Sequence, residues 1–94
     1  RFVRFSSTAN PTSGTDHVFS NGSYDGTTNR CVFSAGNTLI NGTDTTYAIK
    51  LETNSGTTAY VRGIVTFDST DITITWTTNI SASSVAYMFW EAMA

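Results

Sequence analysis

The residues able to do chemistry in this 94-residue chain are few: one histidine, His17, one cysteine, Cys31, and seven carboxylates. His17 follows Asp16 and the chain is rich in serine, so a Ser-His-Asp arrangement can be assembled on paper. Nucleophilic catalysis needs the serine on a sharp strand-to-helix turn and the base oriented by a third group. No segment has that form, and His17 reads as a loop or strand-end residue. Glycoside hydrolysis needs two carboxyl groups roughly 5 to 10 Å apart across a cleft. Asp68 with Asp71, and Asp44 with Glu52, read instead as turn residues and a solvated strand face. The expectation is a chain that is not an enzyme.

Metal chemistry is equally thin. A structural zinc site takes about four Cys or His ligands, and only Cys31 and His17 are present. Asp16, His17 and Asp25 could converge, or three copies of His17 could meet at a three-fold axis, but a solvated imidazole accounts for His17 more simply. No metal and no cofactor are expected. Cys31 lies beside Val32 and Phe33, where a thiol behaves as a small buried hydrophobe. Sequons at Asn21, Asn41 and Asn79 arise easily in a composition so rich in Asn, Ser and Thr, and are not read as glycosylation.

Aromatic rings are the remaining candidates, because an exposed ring gives a sugar a flat surface while neighbouring Asn, Asp and Thr bond its hydroxyls. Trp76 and Phe89 are assigned to the core. Tyr24, next to Asp25 in a turn region, is the exposed candidate, so Asn21, Tyr24 and Asp25 form the expected ligand-binding group. A plain structural turn is the alternative.

Strands must position these residues. Strict alternation places successive side chains on opposite faces of a strand. It is visible at residues 1–6, where Val3 and Phe5 point inward, at 17–20, and at 30–34, where Cys31 and Phe33 share a face. In the second half Tyr47, Ile49 and Leu51 line one face and Ala48, Lys50 and Glu52 the other, a half-buried antiparallel pattern. Residues 59–67 continue with β-branched Val61, Ile64 and Val65, and Gly63 marks a bulge or a close backbone approach. In 71–77, Ile72, Ile74 and Trp76 face in while Thr73, Thr75 and Thr77 face out. Residues 85–93 are apolar on both faces, which predicts a central strand or one lying against another subunit. Asn21-Gly22, Asp25-Gly26, Asn41-Gly42 and Ser55-Gly56 read as turns, and the only proline, Pro11, falls in a polar loop. No helical periodicity is present. Strands this close together predict an all-β, antiparallel sandwich or small barrel of six to seven strands over a single domain, residues 1–94.

Bulk properties bound the rest. A domain of this length buries only about two-thirds of its unfolded surface, and with one cysteine and no zinc set, oligomerisation is the expected source of extra burial. A net charge of −2 and five scattered Lys and Arg argue against a nucleic-acid partner. No run approaches the roughly 18 apolar residues of a membrane span. The given residues contain no charged-then-apolar leader with a small-residue cleavage site, and the chain is expected to be the ordered or processed portion of a longer one whose N-terminus lies elsewhere. Charged residues make up only 13% of the chain, with Thr, Ser, Asn and Gly filling the polar positions, a composition common on virions and cell surfaces.

The block GIVTFDSTDITITWTTN followed by AYMFWEAMA, with FVRF at the start and GTTNRCVFSA between, resembles the C-terminal modules of bacteriophage and prophage tail or fibre proteins. Nearly the whole chain takes part. The ending, with its aspartate turn, Ile-Thr alternation and terminal W-x-A, is also similar to H-type lectin domains. The resemblance implies an H-type-lectin-like sandwich, a homotrimer, a virion location, contact with other virion proteins and a host cell-surface glycan as receptor. It also implies that a strand normally precedes the FVRF segment; its absence here predicts an open sheet edge or a place filled by a preceding segment or another chain. Tyr87, Met88, Phe89 and Trp90 would then form the trimer interface. A capsid-decorating or fibre-capping role is the first alternative, and a glycan depolymerase tip the second.

Overall fold

Each alternating segment pairs with an antiparallel neighbour. The computed structural model describes residues 1–10, 18–35, 40–53, 59–79 and 85–93. Within them run eight strands: β1 (Phe2–Asn10), β2 (Val18–Tyr24), β3 (Asn29–Ala35), β4 (Ile40–Asp44), β5 (Ile49–Thr53), β6 (Ala59–Phe67), β7 (Ile72–Asn79) and β8 (Val85–Met93). They form a five-stranded sheet in the order β4-β3-β2-β1-β8 and a three-stranded sheet in the order β5-β6-β7. The chain is an all-β, antiparallel β-sandwich.

The bounds of β6 and β8 are those the sequence pattern predicts. Two Asn-Gly pairs are strand interiors, not turns: one lengthens β2, and the other lies in β4, the strand that takes the count past the expected six to seven. Asn41-Gly42 lies within β4, where the glycine accommodates the Phe33 ring, 3.2 Å from a Cβ built there. Asn21-Gly22 lies within β2. A Cβ on Gly22 would collide with the carbonyl oxygen of Ala48, so the glycine serves a close crossing of chain segments. Asp25-Gly26 is a turn as expected, with Gly26 at φ +94°; Ser55-Gly56 lies outside the described residues. At Gly63 the ladder runs unbroken from Ile49 to Trp76, and neither a bulge nor a close backbone approach is found; side chains crowd the glycine instead, and a Cβ would meet those of Ile74 and Trp76, each at 3.1 Å.

The core sits where the sheets face each other. Val3, Phe5 and Val18 from the larger sheet meet Ala48, Ile49, Leu51, Val61 and Val65. Packing of β5 on β2 and β3 brings them together. Two polar side chains stitch the layers. Buried Ser20 Oγ accepts the Lys50 N–H at 3.1 Å. Asn29 imitates a peptide unit toward β6, its amide donating to Val65 C=O at 3.1 Å and its Oδ1 accepting Val65 N–H at 2.8 Å.

The outward face of β5 is not solvated as the sequence pattern implied, since Ala48 and Glu52 are both buried. Glu52 is matched by the Arg62 guanidinium, and Lys50 Nζ pairs with Asp44 at 2.8 Å while lying 4.5 Å from the Phe33 ring centre. A buried carboxylate costs several kcal/mol unless it is paired and hydrogen-bonded, and these cations supply that pairing.

β8 departs most from expectation. Among the described residues it pairs with β1 alone and stands at the edge of its sheet, not centrally. β1 itself is paired on both sides, so the open edge falls on β8 and not on the FVRF strand.

Candidate functional site

The register of β8 on β1 assigns its faces. Phe5 is opposite Trp90 and Ser7 opposite Met88, which puts Met88 and Trp90 on the inward face. Ser6 is opposite Phe89 and Thr8 opposite Tyr87, which puts those rings on the outer face. Neither face is covered within the single chain: Phe89 is 80% exposed, Tyr87 67% and Trp90 60%. Phe89 is therefore not a core residue as the sequence suggested. Trp76 is not one either; it points inward beside Gly63 but remains 45% exposed. The two corrections have different causes: Phe89 points away from the other sheet, whereas Trp76 points toward it where that sheet does not reach. Among the described residues β5 carries the main inter-sheet packing, and neither β7 nor β8 packs extensively on the opposite sheet. The sandwich stays open along that side.

The opening is a slot of about 410 Å³. Core residues Ile49, Leu51 and Val61 form its floor, and Trp76, Thr78 and Met88 its walls. Such a surface can take apolar side chains and offers few hydrogen-bonding groups. The outer face of the five-stranded sheet differs. There a shallow depression of about 480 Å³ gathers Asn21, Ser23, Arg30, Val32, Thr43 and Asp44, a set of amide, hydroxyl, cationic and apolar groups. A second depression of about 530 Å³ adjoins it, lined by Arg4, Ser6, Asn21, Phe89 and Glu91. Arg4 and Glu91 form an ion pair there across the β1–β8 ladder.

Asn21, Tyr24 and Asp25 do not converge as one binding group. Asn21 lies exposed on the outer face, whereas Tyr24, opposite Val3, shares the inward face. The Tyr24 ring meets Phe67 edge-on at 4.7 Å and is half-buried, not the exposed platform expected. Asp25 is exposed, but its Oδ1 accepts N–H bonds from Thr28 at 2.8 Å and Thr27 at 2.9 Å. Those two bonds hold its carboxyl below the usual carboxylate value. Asp25 is a turn-forming residue; Asp44 forms a like turn with the N–H groups of Thr46 and Tyr47, and Asp68 another with those of Thr70 and Asp71.

Cys31 is buried, and burial pushes its thiol from 9.0 up to about 11, the reverse of a reactive thiolate. His17 and Asp16 lie outside the described residues, and among the described residues no cluster of metal-ligating side chains occurs. The outer depression and the slot were both missed by inspection of short motifs, because each is assembled from distant strands. The double apolarity of residues 85–93 was the only local signal for either.

Comparison with protein-family models, with curated proteins and with solved structures finds no significant match.

Proposed function

We propose that this chain is a virion structural module, the tip or terminal domain of a bacteriophage fibre or tail protein, working as a trimer that contacts a host-surface glycan. The observation that carries the assembly part is β8, a nine-residue edge strand with exposed aromatic rings on both faces. Unprotected apolar edges invite pairing with other chains, and apolar patches of this kind mark interaction sites. Resemblance of the GIVTFDSTDITITWTTN and AYMFWEAMA blocks to phage fibre modules supports the setting. The polar depression around Asn21 supplies groups suited to sugar hydroxyls. Three weak sites on one tip would raise attachment by about two to four orders of magnitude through avidity.

Glycan-array binding of the purified assembly, repeated with Asn21→Ala and Ser23→Ala together, tests the receptor part. Signal on host-surface glycans that falls at least tenfold in the double variant is expected; an array blank for the wild type contradicts it. The apolar character of β8 also favours a second reading, a capping or decorating module bound to other virion proteins. A deletion that blocks particle assembly but leaves adsorption intact would support that reading over the first.

A further inference from the structure

The slot and the most exposed ring of β8 lie on opposite faces of one strand, and that placement decides how copies can meet. The slot opens on the inward side, between β7 and β8. Phe89 projects from the outer side. We infer that Phe89 of one copy inserts into the slot of the next, over Leu51 and Val61 and against Trp76 and Met88, so that the subunits join head to tail in a closed ring. This rests on the trimer proposed above and specifies its seam.

Three features argue for a second copy as the occupant. The area fits: at ~150–250 Å² per aromatic side chain, the exposed parts of Trp76, Tyr87, Phe89 and Trp90 come to roughly 500 Å² per copy. That is more than half of the ~800 Å² each partner contributes to a standard interface, before Met88 and Met93 are counted. The chemistry fits as well, because a slot floored by Ile49, Leu51 and Val61 asks for an unfunctionalised ring and Phe89 carries no polar atom. The symmetry then follows. A two-fold contact needs ring and slot on one surface, so that each copy's ring enters the other's slot; here they lie on opposite faces of β8, and contacts between different surfaces generate rings when the rotation closes.

Two substitutions on exposed positions separate the halves of this contact without touching the core. Phe89→Ser removes the inserted ring, and Thr78→Arg places a long charged side chain in the slot wall. Native mass spectrometry at micromolar concentration should show the wild type at three chains and each variant alone as a monomer. Mixed one to one, the variants should form a two-chain species, because the Phe89 ring retained by the T78R chain meets the unblocked slot of the F89S chain, and that single contact cannot propagate. A wild-type trimer that persists in both variants would overturn the seam while leaving the trimer standing. A wild-type monomer would overturn both. Monomeric variants that stay monomeric on mixing would contradict the head-to-tail arrangement.

Discussion

Where β5 crosses β2 and β3, apolar side chains vanish from solvent; where β7 and β8 stand, equally apolar ones remain in it. Ile49 and Val65 at the first site are at most 1% exposed, while the inward-facing Trp90 and Trp76 at the second remain 60% and 45% exposed. Alternation is as regular in β7 as in β6, so hydropathy does not explain the difference. Reach does: a three-stranded sheet laid on a five-stranded one covers the strands under β5 and leaves the far side open. The lesson is that an inward-facing side chain is buried only where the opposite layer extends over it.

The sharpest way to break the closed side is at Gly22. Gly22→Ala drives a methyl into the Ala48 backbone, which cannot move as a side-chain tip would, and circular dichroism should show loss of the folded state. Next comes Ile49→Ala, expected to cost about 3 kcal/mol in a urea melt as a cavity opens in the core. Cost well under 1 kcal/mol would mean that the crossing is loosely packed.

Acid tests the turns that frame both sides. Asp25 and Asp68 are held below the usual 3.8 by N–H donors from their own turns. For Asp44, burial pushes the carboxyl up, but the Lys50 ammonium and the Thr46 and Tyr47 N–H groups together bring it below 3.8. Carboxylates with lowered folded-state values stabilise fully above 3.8, and that contribution is lost as pH falls through their folded-state values. The thermal midpoint should therefore drop below pH 3.8, and Asp44→Asn should shallow the drop; a midpoint unchanged down to pH 2 would contradict these assignments. The smallest effect belongs to the open side. Phe89→Ser, measured on the dissociated chain, should change stability by less than about 0.5 kcal/mol, as for other exposed positions.

Much of this was legible beforehand. Period-two alternation located seven of the eight strands, and the inward set Ile72, Ile74 and Trp76 was assigned to the right face. What the sequence hid was non-local. Asn-Gly at residues 21–22 and 41–42 has the local chemistry of a turn, yet Gly22 answers to Ala48, some two dozen residues away, and Gly42 to a ring on the neighbouring strand. Trp76 and Phe89 read as core because a large apolar ring in an alternating strand usually is buried; Trp76 escapes because the opposite sheet does not reach it, and Phe89 because the β1–β8 register turns it outward. Tyr24 was expected outside because it precedes a turn, whereas register puts it opposite Val3. The ligand-binding trio failed as a group for the same reason: neighbours in sequence alternate faces in a strand.

Both tryptophans, Trp76 and Trp90, belong to the open side, so their fluorescence reports directly on whether that side is covered by sister copies. Emission from the purified chain should be blue-shifted and resistant to acrylamide at micromolar concentration, and should move to the red with rising quenchability on dilution to nanomolar. Red, freely quenched emission independent of concentration would contradict the account.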